Sequence, residues 1–328
     1  MLKTRAISLF SGGLDSILAV KILQDQQIDV VGLSFETPFF DAGKARAAAR
    51  AIDLPLVVMN ITDEHLAMLR APRYGYGRNM NPCLDCHALM LKIAGGRLEA
   101  MNAAFIATGE VLGQRPMSQN KQSLYVVAKH SGYLPLVLRP LSARLLPETE
   151  PEQRGLVDRA RLLDIEGRSR KRQMALAEHY GITRYPAPAG GCLLTDPMFS
   201  KRLRELFAHR PDASAREIEL LKHGRHFRLP GGERVVVGRH QRDNLAIEHL
   251  RAEEEGDCFL KMDAFPGPSV LIPRGGGEEA CRRAAALCVL YGDAPRGVSV
   301  RVQCRRGNED GTISVTAADR QEAEAWIV

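Results

Sequence analysis

Ala6-Ile7-Ser8-Leu9-Phe10-Ser11-Gly12-Gly13-Leu14-Asp15-Ser16-Ile17-Leu18-Ala19-Val20-Lys21-Ile22-Leu23 reads as a buried strand, a glycine turn and the opening of a helix. The turn is chemically suggestive. Glycines let backbone N–H groups approach an anion closely, serine hydroxyls add donors, and a helix N-terminus favours negative charge. Asp15 is suited to hold a magnesium ion bridging phosphates. The Gly-Lys-Ser/Thr ending of a Walker A loop is missing, so Ser11–Ser16 is a phosphate loop of another kind. A bare Gly-Gly turn would be ordinary punctuation between elements; the complete six-residue string in this setting is not.

Outward from the loop, Ala6–Phe10, Val30–Ser34, Leu56–Asn60 and Ala104–Thr108 read as buried strands, and the segments 15–27, 41–52 and 86–102 carry helical spacing. Strands alternating with helices predict an α/β unit with a parallel sheet covered on both faces. Ligands of such a sheet lie outside the carboxyl ends of its strands, which makes Ser34 and Phe35 candidates to line an adenine pocket. From Pro151 to Tyr180 the pattern predicts a helical stretch bearing Arg154, Arg159, Arg161, Arg168, Arg170, Lys171 and Arg172, either a solvated face or a phosphate-backbone surface. A polar connector over Lys201–His223 leads to a smaller α+β domain. Its strands are expected at Arg234–Val237, Cys258–Met262, Val270–Ile272 and Val298–Gln303, with a helix over Glu278–Tyr291 and a final strand and helix. The expected domains are residues 1–200 and 226–328.

Composition sets bounds. The 328 residues carry a net charge of +6, with 45% apolar and 26% charged residues, which suits a globular protein with room for a polyanionic partner. No segment approaches the ~20 apolar residues of a bilayer span, so no membrane partner is expected. Seven cysteines without a secretory signal predict reduced thiols and a cytoplasmic location.

Three of those cysteines stand out. Pro82-Cys83-Leu84-Asp85-Cys86-His87 opens a helix and places two thiols on one face, where the helix N-terminus stabilises thiolate. Zinc, a redox pair or a cluster would each use such a pair; zinc would want four ligands, with His87 available to be drafted. Gly190-Gly191-Cys192 offers a third thiol at a loop tip. Three thiolates would satisfy a 4Fe–4S cluster except at one iron. Cys258, Cys281, Cys288 and Cys304 show no ligand spacing and read as core.

The Ser-Gly-Gly-x-Asp-Ser string resembles the signature of the PP-loop ATP pyrophosphatases over about residues 1–195. That family cleaves ATP between the α and β phosphates and adenylates its substrate on a Rossmann-like doubly wound sheet of the adenine nucleotide alpha hydrolase-like kind. The resemblance implies ATP and Mg2+ at Ser11, Gly12, Gly13, Asp15 and Ser16. Thr108-Gly109-Glu110-Val111-Leu112-Gly113-Gln114 through Ser118-Gln119 is similar to a segment of the tRNA sulfurtransferases that make 4-thiouridine, adding Gly109 and Gln114 as nucleotide-site candidates. By the same comparison Cys83, Cys86 and Cys192 resemble the three-cysteine set of iron–sulfur-dependent tRNA thiolases, with Asp15 and Cys192 as the catalytic pair. Those 4-thiouridine enzymes usually carry a THUMP region before the loop and some a rhodanese-like domain after it; here the loop begins at residue 11. Instead, Val235–Asn244, Asp257 and Phe265-Pro266-Gly267-Pro268-Ser269-Val270 look like the NFACT-type RNA-binding domain, implying Arg239, Arg242 and Lys261 as phosphate contacts.

The expectation is a tRNA sulfurtransferase. The uridine carbonyl oxygen attacks the α-phosphorus, pyrophosphate leaves, and sulfur then displaces AMP. The sulfur comes as sulfide or as persulfide from a cysteine desulfurase, held at a cluster or on Cys192; a homodimer is entertained as the assembly. The rivals are a PP-loop enzyme acting on a small molecule and an RNA-binding adaptor with a relic loop.

Overall fold

A computed structural model describes residues 3–187, 191–252, 255–307 and 309–328. The chain divides into two compact units, Met1–Thr195 and Asp196–Val328. No helix of the described residues is long and apolar enough to cross a membrane.

The first unit is α/β. In order it contains β1 (Arg5–Leu9), α1 (Leu14–Asp25), β2 (Asp29–Glu36), α2 (Gly43–Ala51), β3 (Leu56–Asn60), α3 (Thr62–Arg70), α4 (Cys83–Gly95), β4 (Phe105–Thr108), α5 (Lys121–Ser131), β5 (Val137–Leu138), α6 (Glu150–Gln153) and α7 (Lys171–His179). Its sheet is parallel throughout, ordered β3-β2-β1-β4-β5. Period-two alternation assigns the faces. Ala6 and Phe10, Val30, and Phe105 and Ala107 point into one core with α1, α2 and α7. Ile7, Leu33 and Phe35, and Ile106 point into the other with α4 and α5. A strand buried on both faces must be apolar at every position, which is why the strands read as continuous runs. Each such large side chain stabilises the fold by roughly 1.5–3 kcal/mol.

The register aligns Leu9 with Leu33 and with Thr108, so β1, β2 and β4 end on one edge. The chain leaves β1 toward β2 on one side and returns as β4 on the other. That reversal opens a crevice beyond the end of β1, where such sheets bind ligands.

Two expectations are corrected. The stretch from Pro151 to Tyr180 is not one helix: α6 lasts a single turn behind Pro151, a 3-10 turn spans Arg159–Arg161, and a regular helix resumes only at Lys171. Several of its cations are engaged within the unit: Arg154 with Glu150, Arg159 with Glu152 and the Leu146 carbonyl, Arg161 with the Asp25 carbonyl, and Arg172 with Asp164. The helix expected at 86–102 starts earlier, at Cys83, and ends at Gly95, beyond which the chain turns.

The second unit is α+β. It comprises α8 (Pro197–His209), α9 (Ala215–Leu220), β6 (Arg225–Arg228), β7 (Arg234–Val237), α10 (Gln241–His249), β8 (Cys258–Met262), β9 (Val270–Ile272), α11 (Glu278–Leu290), β10 (Val300–Arg306), β11 (Glu309–Val315) and α12 (Arg320–Ala325). Its sheet is antiparallel, ordered β11-β10-β8-β9-β7-β6. Val235, Val237, Cys258, Leu260 and Ile272 pack under α11, while Val236, Leu271 and Phe259 face the side of α10.

Candidate functional site

The phosphate loop lies between the exits of β2 and β4. Gly12 has φ +74°, and a Cβ there would sit 2.5 Å from the Lys44 carbonyl oxygen at the start of α2. Gly109, just past β4, leaves no more room: its Cβ would lie 2.5 Å from the Ser16 nitrogen. Backbone on both sides thus fixes the loop. Replacing Gly12 with Ala combines a left-handed conformation with a backbone clash, so the Gly12→Ala protein is expected to lose on the order of 3 kcal/mol. Urea unfolding with unchanged slope would read that loss, and a shift of less than about 0.5 kcal/mol would show slack in the loop.

Within the loop the Ser11 hydroxyl accepts from the Gly13 N–H at 3.3 Å, and the Ser16 hydroxyl donates to the Gly13 carbonyl at 2.8 Å. Asp15 occupies the first turn of α1. Its Oδ2 accepts from the Gln114 side-chain N–H at 2.9 Å, whereas its Oδ1 is buried without a hydrogen-bond partner, as is Gln114 Oε1. Two buried oxygen acceptors left open beside a phosphate loop are what a hard cation takes, so these residues fit Mg2+. Gln114 orients Asp15. Ser34 and Phe35 lie inside β2 rather than at its end; both are buried, and Phe35 packs in the core beneath α4.

Cys83 and Cys86 open α4. Asn81 donates to Cys83 Sγ at 3.3 Å. Cys86 Sγ stands 3.5 Å from Nε2 of His65, a fully buried imidazole between Phe39 and Phe40. Burial lowers the His65 pKa to about 4 and keeps the ring neutral. Asp85 faces elsewhere, accepting from the Arg73 and Tyr74 N–H groups. Cys192 is brought to this corner through its neighbours. Leu193 N donates to the Phe39 carbonyl at 3.0 Å, and Asn79 donates to the Thr195 carbonyl at 2.7 Å. Gly190 lies outside the described residues.

The three thiols feel one another. Burial first, then Cys192, Cys83 and Asp85, push the Cys86 thiol far above its ordinary range; burial chiefly, with Cys83 adding, pushes Cys192 up to about 11. Yet their sulfurs do not crowd to the spacing of ligands sharing one ion; among the described residues only Cys258, Cys281 and Cys304 do so. Three soft thiols are a donor set that a cluster or a soft metal ion would take. His87, the reserve zinc ligand, is held by Glu110 at 3.2 Å.

Sequence reasoning missed His65 and the buried ion pair behind the loop. Glu110 accepts from Arg139 Nε at 3.0 Å and from Thr108 at 3.1 Å. An arginine within Leu138-Arg139-Pro140-Leu141 was the available signal, since a buried guanidinium needs a carboxylate. Burial would raise the Glu110 carboxyl, but Arg139 and His87 outweigh it and hold it at about 2. An acid with a depressed folded-state pKa stabilises above its unfolded value and loses that contribution as pH falls through the folded one. Unfolding between about pH 5 and 2 should therefore cost the wild type about 3 kcal/mol that Glu110→Gln does not lose. At neutral pH, Arg139→Met should cost on the order of 3–5 kcal/mol by stranding the carboxylate.

In the second unit Arg239 is paired with Asp243 at 2.8 Å and Lys261 with Glu248 at 3.2 Å, while Arg242 is exposed. Lys261 borders an open groove of about 550 Å³ on the sheet face opposite α11, lined also by Arg251, Phe259, Arg305 and Thr312. The Arg251 guanidinium lies 5.5 Å from the centre of the Phe259 ring. Glu248 and Asp310 also line the groove and pair with Lys261 and Arg305, so the Arg251–Phe259 contact is the part of it that suits a nucleic-acid base.

Residues 224–327 match the family described as the NFACT protein RNA binding domain. The chain is 33% identical over 116 residues to the tRNA-specific 2-thiouridylase MnmA of Dehalococcoides mccartyi, covering 30% of this chain and 32% of that protein. It is 30% identical over 118 residues to the same-named protein of Clostridium acetobutylicum, covering 30% and 33%. The chain thus spans about a third of the length of these curated relatives. Among solved structures, a 4-thiouridine synthetase–RNA complex with bound ATP superposes with a TM-score of 0.40 at 19% identity, over 66% of this chain and 52% of that one. By sequence the chain resembles the PP-loop tRNA thiolases, and its residues 224–327 resemble the NFACT-type RNA-binding domain.

Proposed function

From this likeness to PP-loop tRNA thiolases we propose that the chain adenylates a uridine of tRNA with ATP and replaces its carbonyl oxygen with sulfur, in the cytoplasm. The reading is supported by the presence, in one α/β unit, of a phosphate loop with open oxygen ligands and of three partly buried thiols, with Cys86 beside His65, His65 against Phe39, and the residue after Cys192 bonded to the Phe39 carbonyl.

Ser11, Gly12, Gly13 and Ser16 would cradle the phosphates, and Asp15, oriented by Gln114, would hold the magnesium that neutralises their charge. The uridine oxygen bonds to the α-phosphorus as the bond to pyrophosphate breaks. Positioning and charge stabilisation supply the rate. A sulfur nucleophile then bonds to the activated ring carbon as the carbon–oxygen bond to AMP breaks. Cys83, Cys86 and Cys192 would hold a 4Fe–4S cluster, which supplies a sulfide-binding iron when present. Without it, Cys192 would carry the sulfur as a persulfide received from a desulfurase: its outer sulfur bonds to the ring carbon as AMP leaves, a second thiol (Cys83 or Cys86) then displaces it from Cys192 to release thiouridine, and an external thiol reductant reopens the disulfide so formed. His65 stays neutral and fills the wall behind Cys86. The second unit grips the tRNA, and the target base leaves its stack to reach the crevice.

We put 4-thiouridine first as product, on the Thr108–Gln119 segment; the names of the sequence relatives favour 2-thiouridine as the second reading. The test is incubation of anaerobically purified protein with ATP, Mg2+, sulfide and unmodified tRNA, followed by nucleoside mass spectrometry. The expected result is a thiouridine with one AMP and one pyrophosphate per sulfur inserted. Cleavage of ATP that ignores tRNA but responds to a small acceptor would move the reaction to a small-molecule substrate. No ATP cleavage under any condition would leave only RNA binding.

A further inference from the structure

The cysteines of the second unit are not all core filler. Cys288 behaves as one: it is fully buried in the apolar core, and its sulfur lies 3.4 Å from the Pro268 carbonyl. The other three converge. In the β8–β10 ladder Cys258 lies opposite Arg306 and Cys304 opposite Leu260, so the two cysteines are diagonal neighbours on the face that α11 covers. Cys281, in the first turns of α11, closes the triangle from above. Cys258 Sγ stands 3.0 Å from Cys304 Sγ and 3.5 Å from Cys281 Sγ, and all three sulfurs lie within 4.8 Å of one another.

We propose that Cys258, Cys281 and Cys304 form a thiolate site for one zinc ion, separate from the three cysteines of the first unit. Zinc–sulfur bonds of ~2.3 Å place the sulfurs of a tetrahedron about 3.8 Å apart, a spacing this trio meets with small side-chain adjustments. Charge supports the same ion. Arg306 donates to Cys281 Sγ at 3.4 Å and also bonds the Gly276 carbonyl. Three thiolates on a divalent ion carry one net negative charge, which this guanidinium balances; a monovalent ion would leave two. No fourth His, Cys, Asp or Glu among the described residues joins the group. The fourth position therefore belongs to water or a small anion, admitted beside the half-buried Cys304. The site would clamp α11 to the sheet of the unit. It does not depend on the proposed thiolation activity.

The test uses the full-length chain, reduced, stripped of metal and handled anaerobically, titrated with Co2+ and then Zn2+. One equivalent of cobalt should produce sulfur-to-metal charge-transfer absorption that zinc displaces. The location is read by alkylating the protein with and without zinc and mapping each cysteine by mass spectrometry. Zinc should slow modification of Cys304 and Cys281 and leave Cys288 unchanged. Cys304→Ser, at the most accessible ligand, should keep its circular dichroism. It should weaken zinc by more than the roughly hundredfold that loss of an outer-shell partner costs. Protection confined to Cys83, Cys86 and Cys192, unchanged affinity in a folded Cys304→Ser, or no bound metal in fully reduced protein would each overturn the proposal.

Discussion

Asp15→Asn is expected to lower ATP cleavage on the order of a thousandfold, equivalent to about 4 kcal/mol, while leaving the fold intact. The substitution is nearly isosteric, and an Asn side-chain carbonyl can still accept from Gln114 where Asp15 Oδ2 now does at 2.9 Å. What disappears is the charge on an oxygen that is buried without a partner in the ligand-free protein. Such a group costs stability until its ligand arrives. Asp15→Asn should therefore match or exceed the wild type in nucleotide-free stability, by up to about 1 kcal/mol, even as activity falls. Pyrophosphate release measured beside urea unfolding gives both numbers. Full activity in the variant would remove Asp15 from the metal site, and a parallel loss of stability would make its role structural.

The second large effect separates the two halves of the reaction. Cys192→Ala should abolish thiouridine formation, by at least about a thousandfold, and still permit release of about one pyrophosphate per protein, since the loop that binds ATP is untouched. The residue suits such a test because its backbone, not its side chain, holds the segment: the Cys192 carbonyl accepts from the Thr195 N–H at 3.1 Å and from its hydroxyl at 2.7 Å. Alanine preserves both bonds. Iron and sulfide analysis on the same anaerobic samples assigns the sulfur chemistry. About four irons and four sulfides per chain, lost or labile in the variant, would support a cluster. Wild type that thiolates tRNA without iron, from a persulfide-bearing desulfurase and a thiol reductant but not from sulfide alone, would point to persulfide on Cys192. Unaltered thiolation by Cys192→Ala would exclude both.

The phosphate loop and its strand–turn–helix setting were legible because they are local: six residues with fixed chemistry between two short periodic runs. The parallel sheet followed from alternation alone. Legibility failed where partners are distant in sequence. The basic residues of 151–180 read as one helical face, but the stretch is a turn of helix, a 3-10 turn and a later helix, and two of its arginines find partners outside it, Arg161 at the Asp25 carbonyl and Arg159 at the Leu146 carbonyl. Cys258 and Cys304 read as core without ligand spacing; Cys258 is buried and Cys304 only partly so, and nothing in their spacing announces that β8 pairs with β10. Ser34 and Phe35 were placed at a strand end from a pattern whose boundary fell short of Glu36. His65 carries no sequence signal at all; its meaning comes from Phe39, Phe40 and Cys86 around it.

The way Cys192 reaches its corner has a consequence for biosynthesis. Cys83 and Cys86 leave the ribosome long before the segment that is tied to the Phe39 carbonyl and to Asn79. The three thiols cannot meet until the last stretch of the first unit docks on loops laid down much earlier, a late step in a chain rich in distant pairings. On the proposed reading, sulfur chemistry would thereby be withheld from the nascent chain, because Cys83 and Cys86 alone would make an incomplete set of thiols.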